Sequence, residues 1–347
     1  MQAYTKKVLD WLLEDNNPPV KYLTLTNLLH KPESDPIVRN AHTARMTYQV
    51  TEKILEHRHE FSKIDSKEYW KYTGLYWQII FLGQFLADGH DPRLKPIIDQ
   101  LLLTRQWISQ QGGHCLTANL LTAFMQLGYA ENTVVLSEIE SLAQRYMRDR
   151  GIVCTAMDYS LMPECYMALP KLLLCFTRSQ DTLRSAVVSD ATDHIIKTIT
   201  RYEVYKYVPE NKKDWSKILE SAPNKNQLPA GVTVKSWVSE QRKIFIEQKG
   251  LGLYKAKNGW LKFGFPLHYN SDILETMYAL ARAGVKKHAN LQESLQIIFS
   301  KKNNQGTWIL ENSLNGKMWT DVEEKKKPSK WLTYFALYVL THFNFDG

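Results

Sequence analysis

Apolar residues recur at intervals of three and four through nearly the whole chain, as in IIDQLLLTRQWI, NLLTAFMQLG, EIESLAQRYM, DILETMYALARAG and LQESLQIIFSK. On a helix of 3.6 residues per turn that spacing forms one apolar stripe, and no stretch sustains the alternation of a half-buried strand. Gly or Pro separates the segments, as helix ends require. The pattern predicts an all-α protein.

The punctuation itself repeats. Gly89 to Gly112 and Gly128 to Gly151 are each 23 residues, Gly284 to Gly306 is 22, and Gly89 to Gly128 is 39, the length of a two-helix repeat. Within each unit one helix is apolar nearly all round (WQIIFLGQFLA, LLTAFMQLG, CYMALPKLLLCF) and the other carries charge along one side (LSEIESLAQRYMRDR, DTLRSAVVSDATDHIIKTITRY). A helix apolar on every side needs neighbours all round, so the first kind is expected inside and the second outside. Residues 19–24, PVKYLT, and 328–333, PSKWLT, open similar apolar helices after a proline. An open array usually ends in polar caps, so two matching ends predict that first and last inner helices lie side by side. The expected architecture is an α/α toroid, a barrel of paired inner and outer helices, formed by one domain over residues 1–347. Residues 203–263 break the rhythm with a Lys-, Asn- and Pro-rich stretch and read as an irregular insertion, either a lid or a solvated linker.

Composition narrows the class. With 347 residues, 44% of them apolar, the chain can bury a large core. The longest apolar run, LYWQIIFLGQFLA, is too short to span a membrane, and MQAYTKKVLDWLLEDNN mixes both charges, so the expectation is a cytoplasmic protein with at most peripheral membrane contact. A net charge of +8 favours acidic partners, but the longest basic run, Lys325–Lys327, follows Glu323 and Glu324, and no nucleic-acid motif is present.

The helix-pair period, the Gly306-Thr307-Trp308 turn in QGTWILEN and the pairing of a Gly-aromatic turn with an apolar helix resemble the squalene and terpenoid cyclases and the protein prenyltransferase β subunits. The resemblance implies an α/α toroid with an aromatic-lined central cavity acting on an isoprenoid or another apolar ligand. The repeat motifs are degenerate: Lys302 stands where the cyclase repeat has Gln, and His114 replaces Trp in the turn at Gly112. The magnesium-diphosphate pattern DDxxD is absent, and the nearest relative of the cyclase acid motif DxDD is DVEE, Asp321–Glu324, which also reads as an exposed charged turn.

If the inner helices run the same way, their first turns converge on one cavity mouth. Tyr76, Trp77, Tyr166, Tyr269, Asn270 and Trp331 are then the expected lining of a ligand site, with Asp272, His268 and Asp158 as its acid-base candidates. Lys21, Tyr22, Gln78, His114, Cys115, Asn119, Glu164 and Lys330 lie at the same helix starts. Cys154, Cys165 and His268, with Cys115, His114 or Asp272 as a fourth ligand, have the donor chemistry of zinc, although the prenyltransferase ligand spacing is missing. The competing reading of Cys115, Cys154, Cys165 and Cys175 is four small buried thiols. The alternative to an enzyme is a non-catalytic module that binds a peptide, a lipid or a protein partner.

Overall fold

The computed structural model describes residues 5–63, 71–105, 107, 113–148, 151, 165–206, 217–249 and 258–347. It is mostly helical, 62% helix and 2% strand. In chain order the helices are α1 (Lys6–Leu12), α2 (Pro18–Leu23), α3 (Pro36–Ala44), α4 (Gln49–Glu56), α5 (Leu75–Gln84), α6 (Lys95–Thr104) and α7 (Gly113–Phe124). They continue with α8 (Thr133–Arg148), α9 (Leu169–Ser179), α10 (Ala186–Arg201), α11 (Val234–Lys249), α12 (Ile273–Arg282), α13 (Gln292–Ser300) and α14 (Lys330–His342).

The two kinds of helix separate as their sequences require. Every residue of α5 from Tyr76 to Gly83 is buried, and α12 and α14 are buried over most of their length. By contrast α8 buries only Val135, Ile139, Leu142, Ala143 and Tyr146, one face of four turns. The buried helices pack in succession, α5 on α7, α7 on α9, α9 on α12, α12 on α14 and α14 on α2. Helices α8 and α10 cover α9, and α13 lies against both α12 and α14. The contact between α2 and α14 brings the PVKYLT and PSKWLT helices together. Polar links reinforce it: Asn27 Nδ2 donates to Tyr334 Oη at 2.8 Å, and Lys330 Nζ reaches Glu14 Oε2 at 2.8 Å.

Close approach fixes two glycines. A Cβ on Gly83 in α5 would lie 2.7 Å from the Cα of Ala123, so α5 and α7 touch along a strip of small residues. Gly128 ends a turn of π-helix, Met125–Tyr129, at φ +100°, a conformation that side chains disfavour.

The Gly306-Thr307-Trp308 turn is a packing device. Trp308 is fully buried, its indole Nε1 donates to Ile298 O at 2.7 Å, and its backbone N donates to Thr333 Oγ1 at 3.0 Å. Trp308–Ile309 (β1) also pairs antiparallel with Pro328–Ser329 (β2), a two-residue ladder that helical periodicity does not foreshadow. In the region read as an insertion, α11 forms over Val234–Lys249, and Trp260 and Phe263 are buried in the main core. Gly264 then bridges to Asn312.

Candidate functional site

Side chains of α2, α5, α7, α9, α12 and α14 border one cavity of about 420 Å³. That is within the usual range for small-molecule sites. Its lining mixes two chemistries. Ile80, Phe265, Leu267, Trp331 and Phe335 are its apolar lining, in which Phe265 and Trp331 stack with centroids 4.2 Å apart and planes 14° from parallel. Tyr278 meets Phe335 at 4.7 Å. Its polar lining includes Gln84, Asn119, Thr122, Gln126, Thr177, Arg178 and Arg282.

Three of these polar residues lie at the ends of their helices. Gln84 ends α5, Arg178 is in the last turn of α9 and Arg282 ends α12. First turns reach the cavity as well: Glu275 is in the first turn of α12 and Trp331 in that of α14. At the helix ends that carry Arg178 and Arg282, backbone carbonyls carry negative partial charge, which favours cationic side chains. Of the aromatic residues expected to line a site, Trp331 does border this cavity. Tyr76, Trp77 and Tyr166 are buried core residues that border neither this cavity nor the smaller one described next. Trp77 packs on Tyr72 and Phe81, and Tyr166 on Tyr202. Helix α9 begins at Leu169 with Pro170 in its first turn, so Cys165 and Tyr166 precede the helix.

The FPLHYNSD segment builds a second cavity of about 220 Å³, bordered by His268, Asn270, Ser271, Asp272, Lys262 and Asn312 among others. Asp272 is the N-cap of α12: Oδ1 accepts from Glu275 N at 2.8 Å and Oδ2 accepts from Gly264 N at 2.9 Å. Burial pushes its carboxyl up to about 7, with the Glu275 charge adding to the rise and the two backbone N–H groups opposing it. His268 is buried with its ring edge toward Tyr72, and Nδ1 accepts from Asn270 N at 3.2 Å. Burial, helped by the charges of Lys171 and Lys317, lowers its imidazole to about 3, so it is neutral at pH 7. Tyr269 is half-buried and Asn270 exposed.

Between the two cavities runs a buried polar link absent from the sequence reading. Lys171 Nζ, on α9, lies 2.5 Å from Glu275 Oε1, on α12, and donates to Ser271 Oγ at 2.7 Å. Glu275 borders the larger cavity, Ser271 and Asp272 the smaller.

The remaining candidates have structural partners or fall outside the described residues. Asp158 and Cys154 belong to the latter. Cys165 is buried, and among the described residues no three side chains of His, Cys, Asp or Glu gather as metal ligands. The described donors therefore do not fit a zinc site. Burial raises the Cys175 thiol to about 12, as expected of an inert cysteine. In DVEE, Glu323 accepts from the Ser329 hydroxyl and from Lys330 N at 2.8 Å, capping α14, and Asp321 accepts from Gly316 N at 2.9 Å. Both are turn and cap residues. Lys330 turns to Glu14 and Asn16, and Lys21 to Asp15.

Arg178 and Arg282 were missed because a basic residue closing a helix is read first as a partner for the helix dipole. The apolar runs CFTRS and ALARAG each end on one, and nothing in either shows that both face one space. No protein-family model, curated protein or solved structure matches the chain, so residue roles rest on this geometry. No helix among the described residues is long and apolar enough to cross a membrane.

Proposed function

We propose that the chain is an α/α toroid whose central cavity takes up a small molecule with an extended apolar part, of the isoprenoid class. The observation that carries the reading is the convergence of six buried helices on one cavity with an aromatic lining built from Phe265, Tyr278, Trp331 and Phe335. The contact of α2 with α14 supports a closed ring. Stacked rings offer dense dispersion contact to a hydrocarbon chain. Asp272 and Glu323 both accept backbone N–H bonds as helix caps, which favours uptake or transfer of a chain over acid-initiated cyclisation.

Isothermal titration with farnesol, a neutral isoprenoid alcohol, tests the proposal. Leu174→Trp should fill the cavity without emptying the core, since Leu174 is only half-buried and borders it. Saturable one-to-one binding by the native protein, lost in a Leu174→Trp variant that melts at the native temperature, is expected. Indistinguishable heats from the two proteins would overturn it.

A further inference from the structure

The polar lining of the larger cavity holds two positive charges that no carboxylate answers. Among the described residues Arg178 makes neither a hydrogen bond nor an ion pair, and no carboxylate lies within ion-pair distance of Arg282. Among the described residues Arg282 has Tyr278 as its hydrogen-bond partner and the ring of Tyr338 5.8 Å from its guanidinium carbon. Arg178 lies deep in the fold yet is partly accessible, as a side chain facing an internal cavity must be. Burial and the charge of Arg282 hold its guanidinium below the ordinary value. Two carboxylates also border the cavity. Glu275 is neutralised by Lys171 at 2.5 Å, and Asp181 is an exposed residue just beyond the end of α9.

Arg178 loses hydration in this space and is repelled by Arg282, so its charge weakens the ligand-free fold. A buried guanidinium that serves packing normally has a carboxylate or several carbonyls to receive its five N–H groups. Arg178 has none, and it points into a space large enough for a ligand. Beside it, the Thr177 hydroxyl also has no hydrogen-bond partner among the described residues. Asn119 and Gln126 add amide donors on α7 and the turn that follows it.

We infer that Arg178 and Arg282 form a binding site for a doubly charged phosphate-class oxyanion. Two guanidinium forks match the charge and the several acceptor oxygens of a phosphate or diphosphate group, whereas one carboxylate would leave one arginine unanswered. The site needs the cavity geometry but not the isoprenoid reading. A ligand that uses both would place its apolar part toward Trp331 and Phe335 and its anionic end at the arginines.

Inorganic pyrophosphate is the probe, with phosphate, succinate and chloride at matched ionic strength beside it, read by thermal melting and isothermal titration. The native protein should be stabilised by pyrophosphate more than by succinate or chloride. Arg178→Met and Arg282→Met should each weaken pyrophosphate binding at least about tenfold, the loss expected for one charged hydrogen-bonding group. Arg178→Met should melt at or above the native temperature without ligand, because a repelling buried charge is removed. A structural arginine would instead lower that temperature, and such a fall overturns the inference. So does stabilisation by succinate equal to that by pyrophosphate, or none beyond chloride. Farnesol binding is measured in the same variants: if it persists while pyrophosphate has no effect, the anion site fails and the apolar cavity stands, and the reverse result separates them the other way.

Discussion

Lys171 and Glu275 form an ion pair 2.5 Å long with almost no exposure of either side chain, joining α9 to α12 across the wall between two cavities. Burial raises the Glu275 carboxyl above its ordinary value while Lys171 pulls it back. The pair holds two neighbouring buried helices in register at the level of Ser271.

Removing one member leaves the other charged and dry. Lys171→Met should therefore cost about 3–5 kcal/mol of stability in urea melts. The double variant Lys171→Met, Glu275→Leu should recover most of that loss. Equal losses in the single and double variants would show that packing, not charge pairing, dominates there.

The tie between the chain ends is measurable. Asn27 donates to the Tyr334 hydroxyl at 2.8 Å. Tyr334→Phe should cost about 1 kcal/mol, the net worth of one hydrogen bond plus the stranding of its partner. In a double-mutant cycle with Asn27→Ala the two losses should be less than additive, and full additivity would mean that the bond contributes nothing.

The pH dependence contributed by the two raised carboxyls has a definite sign, opposed below about pH 6.5 by His268, whose imidazole is lowered to about 3. Asp272 and Glu323 have carboxyls raised by burial to about 7, from ordinary values of 3.8 and 4.5. Between those limits these two groups bind more protons in the folded protein than in the unfolded chain, so their contribution to stability falls as pH rises from about 4 to about 7 and then levels off. Asp272→Asn keeps an acceptor oxygen for the cap and should flatten part of that slope. Thermal melts across the window read it, and an unchanged slope in Asp272→Asn would place the dependence elsewhere.

Gly83 and Ala123 set the α5–α7 distance. Gly83→Ala puts its Cβ 2.7 Å from both the Cα and the Cβ of Ala123 and should cost about 1–3 kcal/mol. Adding Ala123→Gly should relieve part of it, despite the lower helix propensity of glycine. If the second change deepens the loss by its own full cost, the clash lies elsewhere.

Cys175 should resist iodoacetamide in the folded protein, since its thiol is buried and raised to about 12. Peptide mass spectrometry should find it alkylated only after denaturation. Labelling at the rate of an exposed thiol would contradict the packing of α9.

What could be read from the chain alone followed from local rules. Helical periodicity identified the inner and outer helices because burial on all sides and burial on one side leave different patterns. Asp272 before ILETMY is an N-cap signal, and the matching ends PVKYLT and PSKWLT pointed to the α2–α14 contact. Trp308 was legible as a turn residue but not as the ligand of Ile298 O, which depends on where α13 lies.

The site depended on tertiary structure. Lys171 and Glu275 are 104 residues apart, and as many separate Arg178 from Arg282, so no window of sequence contains either pair. Periodicity states which side of a helix is buried but not which end borders a cavity. Only packing decided that the last turns of α9 and α12 place Arg178 and Arg282 against one cavity. The physical reason is that helix formation and capping are settled by neighbours in the chain, whereas the environment of a charge is settled by neighbours in space.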